Sequence, residues 1–172
     1  TRTFAHDIDD FGELHQSVAQ YAASCAEKLR KQNSVCGEVV VFILTNRHKD
    51  NIPQHYESRL LKLSVPTDST LELTKYASGL LRQIYRKGYA YKRAGVILSD
   101  ICSKTGTQRD MFDTTDRDKH DRLMKAVDGL NAAYGKPKIV TAAEGFERFR
   151  MNRQHLSKKF TTDWRYIIKV KV

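Results

Sequence analysis

Residues 38–45 read Glu-Val-Val-Val-Phe-Ile-Leu-Thr and decide the fold, because β-branched and large apolar side chains in a run of this length predict a strand. The polar residues 46–54, which include a proline, predict the loop of a hairpin. Residues 56–65 return as a second strand, in which Leu61 and Val65 share one face. The two runs therefore predict an antiparallel hairpin.

A helix is predicted on each side of this hairpin. Before it, residues 10–13 read Asp-Phe-Gly-Glu, the D-x-x-E spacing of a capping box, and apolar residues then recur at helical spacing as far as Leu29. After it, residues 69–72 read Ser-Thr-Leu-Glu, a second capping box, and open a helix that Gly88 is well placed to end. Each helix has one apolar face, so each is expected to cover a sheet.

Two further strands complete the first part of the chain, one at residues 2–5 and one at residues 92–101. The element order is therefore β-α-β-β-α-β. This order predicts an α+β fold of the split β-α-β type, in which a four-stranded antiparallel sheet carries both helices on one face. The other face of the sheet is left free.

The chain changes character after about residue 104. Residues 104–118 are polar, residues 118–131 predict a helix with one apolar stripe, and residues 139–141 predict a short strand. A basic tail with interspersed aromatic residues follows. We therefore divide the chain into a domain at 1–105, a linker at 106–118 and a helical and irregular extension at 119–172.

The charge is positive and unevenly placed. The 172 residues carry 30 Lys and Arg against 20 Asp and Glu, a net charge of +10. The net charge is +4 over residues 1–105, zero over 106–146 and +6 over 147–172. A basic excess favours a polyanionic partner such as nucleic acid, because each cation that meets a phosphate releases counterions. No run approaches the roughly 20 apolar residues that cross a bilayer, so no membrane partner is expected.

The cysteines and the first residues bear on where the protein works. Cys25, Cys36 and Cys102 are odd in number and form no C-x-x-C pair, which argues against a zinc site and against a disulfide framework. This usage fits a reduced cytoplasm. The chain starts with neither Met nor an apolar signal core, so we expect it to be a piece of a longer protein.

Motifs for catalysis are missing from the sequence. It has no G-x-x-x-x-G-K-[ST] loop and no G-x-G-x-x-G, and its six histidines show neither H-x-x-H nor H-E-x-x-H spacing. Asp9 and Asp10 stand at a predicted helix start, where acids are favoured by the cap and the helix dipole. The aspartates of residues 110–121 lack the Gly and the terminal Glu of a calcium loop and are typical of a solvated linker. We therefore predict no metal site and no cofactor in this chain.

Polar and basic residues in or beside the strands suggest a surface that follows phosphates without reading bases. RNA-recognition modules share this strand order, but they stack bases on aromatic residues, and residues 59–63 carry no such run. Backbone contact with a duplex is therefore favoured. The predicted DNA-binding residues are Thr1, Arg2, Thr3, Thr45, Asn46, Arg59, Lys62, Lys92 and Arg93.

A second binding feature is the stretch 108–112, Gln-Arg-Asp-Met-Phe. An amide followed by two adjacent large apolar residues can fill a hydrophobic cleft on a partner protein, with the amide setting the register. The alternative is that Met111 and Phe112 fold back onto the domain. Both interpretations stay open at this point.

Four stretches resemble a known family. Residues 1–4, Thr-Arg-Thr-Phe, and 91–96, Tyr-Lys-Arg-Ala-Gly-Val, are similar to the opening and last strands of the little-finger domain of Y-family translesion DNA polymerases. Residues 123–131, Leu-Met-Lys-Ala-Val-Asp-Gly-Leu-Asn, resemble the C-terminal extension of the UmuC-like subunits of bacterial DNA polymerase V. Residues 156–164, Leu-Ser-Lys-Lys-Phe-Thr-Thr-Asp-Trp, resemble the same extension.

The resemblance implies a little finger that holds duplex primer-template DNA by its backbone, with the sheet against the major groove. It also implies that Gln108, Met111 and Phe112 enter the pocket of a sliding clamp, although Arg109 and Met111 stand where leucine is usual. UmuD′ and RecA are implied as partners of the C-terminal region. The implied setting is DNA repair and SOS mutagenesis in a bacterial cytoplasm, close to the nucleoid.

The same resemblance places the catalytic carboxylates and their Mg²⁺ in a palm domain that this chain does not contain. This part is therefore expected to bind DNA and partner proteins without synthesising DNA. Two other functions stay open. One is an interaction module that recruits a clamp or RecA without touching DNA, and the other is an RNA-binding β-α-β-β-α-β domain.

Overall fold

The computed structural model describes residues 1–106, 111, 113–135 and 138–145. The predicted β-α-β-β-α-β order of the first domain and the α+β class are confirmed. In chain order the elements are β1 (Arg2–Ile8), α1 (Phe11–Lys31), β2 (Ser34–Thr45), β3 (Tyr56–Thr67), α2 (Thr70–Ile84), β4 (Tyr91–Ser103), α3 (Arg117–Ala133) and a short 3₁₀ helix (Ala142–Glu144).

The four strands form one antiparallel sheet in the order β1-β4-β2-β3. The two central strands are long, and β2 pairs with β4 from Ser34 opposite Ser103 to Thr45 opposite Tyr91. The strand β3 lies beyond β2, and the short strand β1 lies beyond β4. The apolar run of residues 38–45 thus lies in the middle of the sheet.

The helices α1 and α2 lie on one face of the sheet and enclose the core. Alternate residues of β2 point into this core, and Val39, Val41 and Ile43 are fully buried. They belong to the same cluster as Leu14 of α1 and Leu73 of α2. Each such side chain contributes about 1.5–3 kcal/mol on burial, so the amphipathic helices are held to the sheet mainly by this face.

The two predicted capping boxes have different outcomes. Asp10 Oδ2 accepts the backbone N–H three residues further on at 2.8 Å, so the cap of α1 is confirmed. The capping box at Ser69 is wrong, because that side chain makes no cap hydrogen bond. Its hydroxyl lies 3.0 Å from Nδ1 of His120, and Glu72 lies 3.3 Å from the guanidinium of Arg117. The Ser69 hydroxyl therefore faces α3, while the Glu72 carboxylate is shared between Arg117 and the hydroxyl of Thr67. That hydroxyl, in place of Glu72, accepts the backbone N–H of Ser69 at 3.1 Å.

The helix α3, predicted at residues 118–131, is confirmed, and it contacts α1 and the end of β4 through charged groups around one buried residue, Met124. Arg30 of α1 donates to both carboxylate oxygens of Asp128, at 2.6 and 2.8 Å. Lys104, at the end of β4, donates to Asp121 at 2.7 Å. Burial opposes the charge of Lys104, but hydrogen bonds to Asp121 and to a second carboxylate raise the pKa of Lys104.

Two local predictions are wrong. Residues 139–141 form no strand, and Thr141 instead opens the 3₁₀ helix by donating its backbone N–H to Glu144 Oε1 at 2.8 Å. The helix α2 ends at Ile84, so Gly88 does not end it and lies in the following loop with φ of +95°. Within the part of the chain that the structure describes, no helix is long and apolar enough to cross a membrane.

Candidate nucleic-acid interface

The open face of the sheet is built of rows of side chains that run across the strands. Strand pairing puts Tyr56 beside Leu44, Leu44 beside Arg93, and Arg93 beside Thr3. Neighbouring strands lie about 4.8 Å apart, so these four residues span about 15 Å. We call them the hairpin-end row, because the row lies next to the β2–β3 loop. The next row along the strands is centred on Phe42.

The middle of the open face is apolar. Val40, Phe42 and Leu44 of β2 lie on it and are partly buried. Leu60 of β3 and Ile97 of β4 flank them, with 54% and 49% of their surface exposed. From Val39 to Leu44 the strand β2 is therefore apolar on both faces, and any contact with phosphates has to come from the ends and corners of the open face.

Three of the predicted DNA-binding residues lie together at one corner. Thr3 is the strand partner of Arg93, whose side chain is exposed. Thr1 Oγ1 donates to the carbonyl of Ala94 at 3.1 Å, and its Cβ lies over Gly95 on the open face. The side chain of Arg93 is exposed at this corner, and the structure shows no ion pair between it and another described residue.

The structure separates Lys62 and Arg59 from that corner and from each other. Lys62 lies on the open face opposite Glu38, six residues or about 20 Å along β2 from the hairpin-end row. Arg59 is the strand partner of Val41, which is buried in the core, so Arg59 lies on the helix side of the sheet. There its guanidinium donates to Gln83 Oε1 of α2 at 3.4 Å.

Arg2, Thr45 and Asn46 also lie away from the open face. Arg2 is the strand partner of Ala94, a core residue, and so lies on the helix side of the sheet. Thr45 is 1% exposed, and its hydroxyl donates to Gln54 Oε1 at 2.8 Å. The side chain of Asn46 accepts the backbone N–H two residues further on at 3.1 Å. The two polar residues therefore shape the hairpin loop.

Lys92 shares a carboxylate with a lysine of the hairpin loop. Lys49 Nζ donates to Asp7 Oδ2 at 2.8 Å, and Lys92 Nζ lies 3.4 Å from Asp7 Oδ1. The hydrogen bond from Lys49, together with the Lys92 ammonium, holds the pKa of Asp7 below its usual range. The three groups therefore carry one net positive charge at neutral pH.

Sequence reasoning missed two residues beside this corner. Tyr56 is 56% exposed in the hairpin-end row, and the guanidinium carbon of Arg47 lies 5.2 Å from the centroid of its ring. The alternation of β3 could have found the tyrosine, since residues 56, 58, 60 and 62 must share a face. The same alternation puts Arg59 on the opposite face from Lys62.

The chain also matches a known family in its sequence. The impB/mucB/samB family C-terminal domain matches residues 1–111, which is more than half of the chain and includes the whole sheet. The chain belongs to the impB/mucB/samB family. A domain of unknown function matches residues 121–170, which include most of α3. The resemblance to UmuC-like proteins of the Y family is confirmed by these matches and by the relatives below.

Two relatives align with nearly the whole chain, and a third aligns with four fifths of it. Protein ImpB of Salmonella typhimurium is 35% identical over 169 residues, which are 97% of this chain and 40% of ImpB. Protein UmuC of Salmonella typhimurium strain LT2 is 33% identical over 173 residues, 99% of this chain and 41% of UmuC. DNA polymerase IV of Clostridium acetobutylicum is 25% identical over 138 residues, 80% of this chain and 33% of that polymerase. The chain spans about two fifths of the length of ImpB and UmuC.

Of the three predicted clamp-binding residues in this impB/mucB/samB chain, the structure describes Met111 alone. Its side chain is 89% exposed, so it does not fold back onto the domain. Gln108 and Phe112 lie outside the described residues, as does the basic tail beyond residue 145. Asp113, the next described residue, binds the guanidinium of Arg117, so the chain leaves this stretch anchored to α3.

The acidic residues around α3 are held by cations or by the start of the helix. Asp116 caps α3 by accepting the backbone N–H three residues further on at 2.9 Å. Asp121 binds Lys104, and Asp113 binds Arg117. A backbone hydrogen bond from the residue two positions on, aided by the Arg117 guanidinium, lowers the pKa of Asp113. In the ranges that the structure describes, no three His, Cys, Asp or Glu side chains are grouped to hold a metal ion.

Proposed function

We propose that this chain is the DNA-binding and protein-interaction part of a Y-family translesion polymerase that acts in tolerance of DNA damage. The observation that carries the proposal is a concentration of cations at one end of the sheet, where β4 begins and the β2–β3 loop closes. The cations at this end are Arg47, Lys49, Arg86, Lys92 and Arg93. Arg86 lies 3.7 Å from Glu57, and Lys49 and Lys92 share Asp7, so the cations exceed these two carboxylates. Relatives named UmuC and DNA polymerase IV support the polymerase part of the proposal.

The side chains at this end suit phosphates better than bases. The guanidinium of Arg93 can donate to two oxygens of one phosphate, and the hydroxyl of Thr3 beside it can donate to a third. The Lys49–Asp7–Lys92 group adds one net positive charge. These groups respond to charge and spacing and not to base identity. A duplex distorted by a lesion keeps its phosphates, so such a grip tolerates the lesion.

Some of the predicted residues lie where they can reach a duplex on the open face, and others do not. Residues on the helix side of the sheet, and those bonded within the hairpin loop, do not present their side chains to a duplex lying on the open face. Lys62 is a second point of contact, about 20 Å along the strands from the hairpin-end row. The candidates for phosphate contact are therefore Thr1, Thr3, Lys62, Lys92 and Arg93.

A titration of labelled duplex DNA at several salt concentrations tests these phosphate contacts. The double variant Lys92→Ala/Arg93→Ala should bind more weakly, and its plot of log affinity against log salt should flatten by about 0.9 for each lost phosphate contact. The matched control is Lys75→Ala/Arg82→Ala, which removes two exposed cations from α2, on the other side of the sheet. Equal loss in both double variants, or loss in neither, would contradict the proposed surface.

We place DNA synthesis by the parent protein outside this chain. A polymerase that uses Mg²⁺ needs grouped carboxylates, and the described residues do not fit this need, because Asp7, Asp113 and Asp121 are each bound to a lysine or arginine. The proposed role of this part is to hold the product duplex and to recruit proteins. Adding it to a primer-template with nucleotides and Mg²⁺ should give no extension.

The resemblance also supports a proposed clamp contact, and the exposure of Met111 is consistent with it. A pull-down on immobilised sliding clamp should retain the wild-type chain. It should release Gln108→Ala and the double variant Met111→Ala/Phe112→Ala. Equal retention of all three would refute the clamp contact. By the same resemblance, we assign UmuD′ and RecA to the extension at residues 119–172.

The apolar middle of the open face favours a second candidate function, an interaction module that makes no DNA contact. Half-exposed Leu60 and Ile97 form the kind of surface that protein partners cover. The duplex titration separates the two functions, because the interaction module predicts no binding even at low salt. An RNA-binding domain would instead prefer single-stranded RNA to duplex DNA in a parallel titration.

A further inference from the structure

The hairpin-end row carries an aromatic ring that phosphate binding does not use. Tyr56 stands at the start of β3 with 56% of its surface exposed, and Leu44 is its neighbour in the row. The guanidinium carbon of Arg47 lies 5.2 Å from the centre of the ring, within the range of a cation–π contact. The ring therefore has an apolar neighbour on one side and a cation on another.

The loop that carries Arg47 is held in shape by a single amide. Gln54 Nε2 lies 3.1, 2.8 and 3.3 Å from the carbonyl oxygens of Asn46, Lys49 and Ile52, so its two N–H groups serve three acceptors and one of them is shared. Arg47 lies between two of these three residues, so the backbone on each side of it is tied to the same side chain. The backbone that carries Arg47 is thus ordered before any ligand arrives, which reduces the entropy lost on binding.

We propose that Tyr56 and Arg47 form a stacking site for an unpaired base of single-stranded DNA. The inference rests on the proposed DNA-binding function and adds a second kind of ligand at the same end of the sheet. Aromatic rings accept any base, because every base has a π face, and an adjacent arginine strengthens the contact. Arg93 lies two strands away, about 10 Å, where it can meet the phosphates of the same strand.

An unpaired base fits this site better than a base within a duplex. The faces of a paired base are covered by its neighbours in the stack, so only an unstacked base offers a face to Tyr56. A cleft of about 290 Å³ opens beside the ring, and Asp50 is among its lining residues. A carboxylate repels phosphate but accepts hydrogen bonds from the amino groups of bases. The cleft therefore favours the base over the backbone.

The test uses an oligomer of thymidines with one 2-aminopurine, whose fluorescence falls when it stacks. The wild-type chain should quench this fluorescence on binding. Tyr56→Ala should abolish the quenching and weaken single-strand binding by about five- to 150-fold, the range for losing one stacked base. Tyr56→Phe should retain both. The matched control is Tyr134→Ala at the end of α3, because Tyr134 is 65% exposed and lies off the sheet.

Three results would overturn the stacking site: no quenching by the wild-type chain, quenching that survives Tyr56→Ala, or an affinity of that variant within twofold of wild type. The duplex titration with Lys92→Ala/Arg93→Ala is run alongside. Duplex binding without quenching refutes the stacking site and leaves the proposed phosphate grip intact. Quenching without duplex binding refutes the phosphate grip and leaves the stacking site.

Discussion

Replacing Gly95 with alanine tests how the open face is built. A Cβ atom at this position would lie 2.5 Å from both Cε1 and Cζ of Phe42 and 2.8 Å from Cβ of Thr1. Carbon atoms in ordinary contact are about 3.5–4.0 Å apart. The ring of Phe42 therefore has to move by about 1 Å or to swing out into solvent. Glycine at position 95 is needed for this close approach, and its backbone angle plays no part.

Two effects of opposite sign set the size of the change in stability. Overpacking a filled position costs about 1–3 kcal/mol. Alanine in a strand is better than glycine by about 0.5–1 kcal/mol, because glycine loses more backbone freedom on folding. Phe42 is only partly buried and yields more easily than a core ring, which puts the overpacking term in the lower part of its range. We expect Gly95→Ala to lower the free energy of unfolding by about 1 kcal/mol.

Urea denaturation at constant pH measures this change as a shift in midpoint with an unchanged slope. Gly79→Ala is the matched control, because a Cβ at this site in α2 would meet no atom within 4 Å. The control should be more stable than wild type by about 0.5–1 kcal/mol. Because Phe42→Ala removes the ring that the new methyl group meets, the double variant should be non-additive by at least ~0.5 kcal/mol. An unchanged midpoint for Gly95→Ala, or strict additivity with Phe42→Ala, would refute the packing argument.

Three further predictions concern other parts of the chain. Asp128→Ala removes both oxygens that Arg30 binds, so the free energy that protects the amides of α3 from hydrogen exchange should fall by about 1–2 kcal/mol while α1 stays protected. Unchanged exchange in α3 would contradict this. The pKa of Asp7 is lowered in the folded chain, so the stability that its carboxylate contributes is complete above the ordinary carboxyl pKa and is lost as the pH falls below that value. In urea melts between about pH 4 and pH 2, Asp7→Asn should therefore lose less stability than wild type. Burial raises the pKa of the Cys36 thiol to about 12, so a thiol reagent should label exposed Cys102 in the native chain and reach Cys36 only after unfolding. Rapid labelling of Cys36 in the native chain would count against the fold.

The pattern of apolar residues was enough to predict the fold of the first domain. Strand and helix periods are local properties, and a four-stranded sheet with two helices is the arrangement that buries every apolar face. The capping box at Ser69 failed for the opposite reason. The Ser69 hydroxyl meets α3, which begins almost fifty residues later, and no local pattern records that contact. The Glu72 carboxylate is shared between Arg117 of α3 and the hydroxyl of Thr67.

The structure brings together only some of the residues predicted for the candidate site. Thr3 and Arg93 were predicted among them, and strand pairing puts the two side by side. Arg59 was grouped with Lys62, although the alternation of β3 separates them, and Thr45 is buried within the loop. Basic character follows from residue type alone. The position of a charge relative to a sheet face and to its counter-ions depends on register.

By itself, the sequence determined the element order, the helix-covered face of the sheet, the basic charge and the family, because each of these depends on residue type and spacing along the chain. Only the tertiary structure decided which charges share a corner, that Asp7 joins Lys49 to Lys92, and that Tyr56 meets Arg47 at the end of the open face. The physical reason is that these contacts join separate segments of the chain. Their geometry is set by strand register and by the folding of the β2–β3 loop, and neither is a local property of the sequence.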